Sequence, residues 1–180
     1  PGHTVLDDKI YRMGMLDFKN KIADSMEALD FLNDPHAYDK KEELKAMDIV
    51  ADALMSFSLR HADALADLAK AEKDPKRKSE LMEMEKNCRH IPANPPETFW
   101  QALQYYWFVH LAVITELNPW DSFNPGRLDQ HLFPFFKKEM AKGIGKMENV
   151  KELLQAFWIK FNNHPAPPKV GITAKESNTY

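Results

Sequence analysis

The run from Phe99 to Ile114, FWQALQYYWFVHLAVI, constrains this chain more than any other stretch. Between Tyr105 and Ile114 it leaves almost no polar face. A helix that is apolar all round has to be surrounded by protein or by lipid. Pro96 and Pro119 bound the run, Gln101, Gln104 and His110 interrupt it, and Glu116 follows. A bilayer span requires roughly 20 mostly apolar residues, so the run reads as a buried core helix, about residues 97–116. Covering such a helix on every side within 180 residues is demanding, which predicts neighbours from polypeptide outside this chain. Just upstream, RHIPANPPET holds Pro92, Pro95 and Pro96. Each disfavours helix in the residue before it, so this segment is a stiff, extended connector.

Helical periodicity accounts for most of the remainder. Ile10, Met13, Leu16, Ile22, Met26 and Leu29 predict a first helix over about 7–30, with Asp7 or Asp8 at its start. Asn33, Asp34 and Pro35 then break the chain. The second helix, about 39–72, carries a stripe of Leu44, Met47, Ala51, Leu54, Ser58, His61, Leu65 and Leu68. Asp74 suits the cap and Pro75 the first position of a third helix that ends near Cys88. A short helix over about 132–142, a GIGK turn and a helix over about 148–162 follow, the last burying Leu153, Leu154, Phe157, Trp158 and Phe161. The segment from Asn118 to Phe136, NPWDSFNPGRLDQHLFPFF, is too broken for a helix and too rich in proline for a central strand. PPKVGIT begins a strand-like stretch at about 168–174. The fold class is mainly α.

Composition narrows the function classes. Hydrophobic residues make up 44% and charged residues 28%, as in globular proteins. A net charge of -3 offers no basic excess for nucleic acid. The single cysteine, Cys88, excludes an internal disulfide framework and fits a reducing compartment. PGHT opens the chain with loop chemistry and none of the regions of a signal peptide. Both ends are abrupt, so the expectation is a segment of a longer polypeptide.

Few residues carry chemistry by spacing alone. The seven histidines are scattered, and with one cysteine no metal site is expected. GIGK, Gly143 to Lys146, lacks the strand and further glycines of a phosphate loop and reads as a turn between helices. Cys88 stands beside Arg89 and His90, whose charge would favour a thiolate. The favoured alternative is a small hydrophobe packed at a helix end, because no general base stands near it in sequence. Arg127 and Asp129 read as an ion pair that rigidifies a turn. Aromatic residues beside a polar loop with a Pro-Gly turn are the components of a pocket wall, apolar lining with a few placed polar groups. Spacing does not name the ligand.

The stretch CRHIPANPPETFWQALQYYWFVHL, followed by NPGRLDQHLFPFFKKEM, resembles the pyruvate formate-lyase-like glycyl radical enzymes. The matching positions run from Cys88 and Arg89 through Pro92–Pro96, Thr98 and Phe99 to Gln104, Trp107, Phe108, His110 and Leu111. They continue with Ser122, Pro125, Gly126, Arg127, Asp129, Gln130 and Pro134. The resemblance covers nearly the whole chain as part of a single domain and is specific over residues 88–136. It implies a helical segment of a ten-stranded α/β barrel enzyme, ending at the start of a barrel strand.

The same resemblance implies a mechanism for the full-length protein. A glycyl radical, installed by a radical-activating enzyme that uses S-adenosylmethionine and an iron–sulfur cluster, passes to a cysteine thiyl. The thiyl removes a substrate hydrogen, and a C–C, C–O, C–N or C–S bond of a small organic molecule is cleaved. The family's thiyl Cys-x-Glu motif and radical Gly have no counterpart in these 180 residues, so no catalytic residue is assigned and the segment alone is expected to be inactive. The resemblance places His3, Asp121, Ser122 and Tyr180 at the substrate and gives Arg127 and Asp129 a loop-structuring role. NPWDS replaces the family's usual NGHS, so the resemblance does not carry over the shape of this loop or its substrate. The implied partners are a small-molecule substrate, the activating enzyme, the remainder of the same chain and a second copy in a homodimer, with no nucleic acid, membrane or metal. The implied location is the cytoplasm of an anaerobic prokaryote. The alternative is a non-catalytic helical scaffold or interaction module derived from that fold.

Overall fold

A computed structural model describes residues 6–116 and 124–163, and every regular element among the described residues is helical. A 3-10 turn, Lys9–Tyr11, precedes α1 (Met15–Glu27), α2 (Ala37–Ala71), α3 (Pro75–His90), α4 (Phe99–Glu116), α5 (Leu128–Ala141) and α6 (Met147–Asn163). The expected strand-like stretch at 168–174 lies outside the described residues. The described residues fall into two compact units, Arg12–Pro96 and the remainder.

Within Arg12–Pro96, the 35-residue α2 packs against α1 and α3. Its buried positions are Ala37, Ala51, Leu54, Ser58, Ala62 and Ala69. The expected stripe drifts: Met47, His61 and Leu68 are exposed, and small alanines take the contact instead. Small side chains let helix axes approach closely, so the packing favours alanine over the larger residues beside it. α3 starts on Asp74, whose side chain accepts from the Lys76 amide at 2.9 Å, with Pro75 in the first turn. There its missing N–H costs nothing.

The first helix is shorter than its periodicity predicts. Leu6 and Asp7 have positive φ angles of 59° and 49°, so neither aspartate begins a helix. The break falls at Gly14, where the chain runs against the proline connector. The Met15 and Leu16 amides donate to the carbonyls of Pro92 and Ala93 at 2.7 and 3.1 Å. The Gly14 amide donates to the Asp17 side chain. A Cβ at Gly14 would lie 2.1 Å from the Ala93 carbonyl oxygen, so only glycine fits. On the other side of the connector, the buried Ser58 hydroxyl lies 2.7 Å from the Cys88 carbonyl oxygen and 2.8 Å from that of Ile91.

In the other unit, α4 packs against α5, α6 and the 3-10 turn. No residue from Phe99 to Ile114 is fully exposed. This corrects the expectation that the apolar run needs outside polypeptide to cover it: its aromatic bulk is buried by residues of this chain. Thr98 caps α4 through its hydroxyl, which accepts from the Gln101 amide, and the Phe99 amide donates to the Glu139 carboxylate of α5 at 2.8 Å. α5 also departs from expectation. It begins at Leu128, four residues early, and carries Pro134 inside it. Proline removes one backbone bond of a helix, and here its ring is exposed while Leu132 on the opposite side is buried. On α6, Val150 and Phe157 are buried, but Trp158 is 53% exposed, against its expected place in the inner stripe.

Gly14→Ala is expected to lower the unfolding free energy by ~3 kcal/mol, the cost of overpacking a closed contact. Ser58→Ala, which removes the one hydroxyl donor shared by two buried carbonyls, is expected to cost ~2 kcal/mol. Urea unfolding midpoints check both, and wild-type midpoints would contradict the account of the connector.

Candidate functional site

Two polar side chains meet in the interior along α4. Tyr106 and His110 are one turn apart, and the Tyr106 hydroxyl lies 3.3 Å from His110 Nδ1. The phenol donates when the neutral imidazole carries its proton on Nε2. The rings of Tyr106 and Trp107 stack on His110 at 5.7 and 5.3 Å, and Phe161 of α6 closes the third side at 4.8 Å. Lys160 Nζ lies 5.3 Å from the centre of the Trp107 ring. Burial of His110 lowers its pKa to about 4, so it is uncharged near neutrality. Burial, with a smaller contribution from Tyr11, pushes Tyr106 well above the usual phenol range. Tyr11 is raised by burial as well, and its ring stacks on His131 at 4.9 Å. The i, i+4 spacing of Tyr106 and His110 inside an apolar run was the signal for this pair, and sequence reasoning passed over it.

Of the candidate substrate residues, His3, Asp121, Ser122 and Tyr180 lie outside the described residues. In sequence, Asp121 and Ser122 fall between Glu116, the last residue of α4, and Asn124, where the described residues resume. There the Gly126 amide donates to the Asn124 side chain at 2.8 Å, and Gly126 takes a positive φ of 61°. Pro125 is buried. Arg127 and Asp129 approach to 3.9 Å with both side chains largely exposed. An exposed pair at that distance is a weak fastening, and the Asn124 turn with buried Pro125 is the firmer hold at the entry to α5.

The remaining motifs resolve into structure. Gly143 closes α5 with φ 68°, its amide donating to Met140, while the amides of Ile144 and Gly145 donate to Glu139. These backbone donors of GIGK are therefore already bonded to helix carbonyls, as in a glycine helix stop, and are not held open for phosphate. Cys88 is buried, and burial pushes its thiol up to about 11, against a smaller lowering from the neighbouring Ser58 hydroxyl. Arg89 turns to Glu85 and Asp63, and His90 Nε2 meets the Pro95 carbonyl at 2.9 Å, so neither activates the thiol. Among the described residues no cluster of His, Cys, Asp and Glu could hold a metal ion, and no helix is long and apolar enough to cross a membrane.

Comparison with known proteins decides the family. The family model for pyruvate formate lyase-like proteins matches residues 1–180. The chain belongs to this family of glycyl radical enzymes. It is 51% identical over 180 residues to a trans-4-hydroxy-L-proline dehydratase of Clostridioides difficile, covering all of this chain and 23% of that protein. The crystal structure of hydroxyproline dehydratase from that organism, with trans-4-hydroxy-L-proline bound, superposes with a TM-score of 0.91 at 50% identity, covering 98% of this chain and 22% of that one. A glycyl radical enzyme from Archaeoglobus fulgidus superposes with a TM-score of 0.81 at 32% identity, over 89% of this chain and 21% of that one. The chain thus spans less than a quarter of the length of these family members.

The low pKa of His110 makes a pH test available. The unfolded chain, with a histidine pKa near 6.5, takes up a proton that the folded state refuses until about 4. Stability from this group is therefore present above about 6.5 and lost as the pH falls through that window. Carboxylates with lowered values, such as Asp34, act in the same direction. The readout is therefore the difference between two melting profiles: His110→Gln is expected to flatten the fall between pH 6.5 and 4. Parallel profiles would show that His110 is not held neutral.

Proposed function

We propose that residues 1–180 form part of the single pyruvate formate lyase-like domain of a glycyl radical dehydratase. Its substrate is a small hydroxylated amino acid of the 4-hydroxyproline type. The observation that carries this reading is 51% identity over the whole chain to a trans-4-hydroxy-L-proline dehydratase. The glycyl radical resides elsewhere in the full-length polypeptide, is installed by an S-adenosylmethionine-dependent iron–sulfur activase, and supplies the hydrogen abstraction that starts the reaction.

The residues of this chain bind and orient. His3 and Ser122 hold the hydroxyl that leaves as water, by hydrogen bonds that need no change of charge. Asp121 offers a carboxylate to the cationic nitrogen of the substrate, and Tyr180 supplies an aromatic wall. The backbone turn at Asn124–Gly126, with Arg127 and Asp129 beyond it, sets the exit of the Asp121–Ser122 loop. Holding a substrate in one geometry contributes to rate by proximity, and an enclosed wall keeps water from the reacting centre. The working form is a cytoplasmic homodimer in an anaerobic prokaryote.

The test uses the full-length polypeptide with its activase under anaerobic conditions. A glycyl radical signal in electron paramagnetic resonance and loss of water from trans-4-hydroxy-L-proline are expected. Ser122→Ala is expected to lower kcat/KM by ~100-fold, the loss of one well-placed hydrogen bond to the reacting group, with the radical signal retained. A radical without dehydration of any hydroxylated amino acid would overturn the substrate class. Absence of a radical would favour the non-catalytic scaffold.

A further inference from the structure

α2 has two apolar faces, and only one is buried. Ala51, Leu54, Ser58, Ala62 and Ala69 bury one face. About a third of a turn round the helix, at 100° per residue, lies a second line: Val50, Ala53, Phe57, His61, Ala64 and Leu68. All six are exposed, Val50 at 55% and Leu68 at 57%. Their spacings of three and four residues are those of a seam that receives another helix. A solvated surface helix instead places charge on its outer positions.

One charge flanks the seam. Arg60 stands between Phe57 and Ala64 at the same three-and-four spacing, and among the described residues it makes no hydrogen bond or ion pair. The other cations along α2 are engaged: Lys40 with Asp34, Lys45 with Glu42, Lys70 with Asp67, and Lys41 over the Phe31 ring. A guanidinium beside an apolar seam is suited to a carboxylate from whatever covers it.

We propose that this outer seam of α2 docks a helix of the same polypeptide from outside residues 1–180. That helix lays an apolar face along Val50–Leu68 and sets an Asp or Glu against Arg60. The length of the family members argues for this occupant. More than three quarters of the hydroxyproline dehydratase lies beyond the part that this chain matches, so intramolecular cover is available at high effective concentration. The inference rests on reading the chain as part of a full-length enzyme, and the test separates the two.

In the full-length protein, the Val50→Cys and Leu68→Cys variants are alkylated with a maleimide, and each site is followed by peptide mass spectrometry. Both sites are expected to react ~100-fold more slowly in the folded protein than in denaturant, because labelling must wait for local opening. The protection should hold at every protein concentration. Adding Arg60→Glu should speed labelling of the Leu68→Cys site ~10-fold, the loss of one charge-assisted contact. Carbene footprinting of the unaltered protein over Ala64–Leu68 supplies the same readout if a variant does not fold. Labelling at the denatured rate would overturn the proposal. So would protection that vanishes on dilution to single protomers, which would assign the seam to a second copy, or indifference to Arg60→Glu. The radical signal is read on the same preparations. A full radical with a freely labelled seam removes this inference and leaves the enzyme reading intact. A protected seam without a radical does the opposite.

Discussion

The unit Arg12–Pro96 depends on where the carbonyls of its proline connector find donors. Pro92, Pro95 and Pro96 bring acceptors without amides, so the segment cannot satisfy itself by forming a helix. The start of α1 has the complementary excess, amides without acceptors. Met15 and Leu16 meet Pro92 and Ala93, and each excess cancels the other. Gly14 makes the meeting possible by having no side chain where the Ala93 oxygen sits. Ser58 does the same service from α2 for the carbonyls of Cys88 and Ile91. Three helices are thereby fastened to one short stretch of irregular backbone.

The unit that holds α4 uses a related device. The first amides of this very apolar helix would be costly to bury unbonded. Thr98 takes one, and Glu139 reaches from α5 to take another, so a carboxylate sits at the positive end of the helix dipole. Further along α4, the Tyr106–His110 pair is enclosed by Trp107 and Phe161.

Much of this was legible in the sequence, for identifiable reasons. The helices announced themselves by period, and Asp74–Pro75 marked a start because capping is local chemistry. The family was legible because the stretch from Cys88 to Leu111 is long and specific. The errors arose where a distant residue decides. α1 starts only after Gly14 because of Ala93, almost eighty positions away in sequence. The stripe on α2 favours alanines because neighbouring helices come close there. α5 accommodates Pro134 because Leu132 is anchored on the opposite side. Arg127 and Asp129 looked like a lock, whereas Asn124 and Gly126 form the shorter contact. The candidate substrate residues came from the resemblance, since a lone histidine or serine has no periodicity to betray it.

The contacts around Pro92–Pro95 bear on how proteins of this kind are sorted. The most recognisable letters of the chain, CRHIPANPP, spend their atoms on backbone carbonyls, on Ser58 and on the entry to α1. None of the candidate substrate residues is among them. A classification built on that signature groups proteins by chassis. Two members can share every letter of it and still consume different molecules, and the label that separates them has to be read from residues outside the signature.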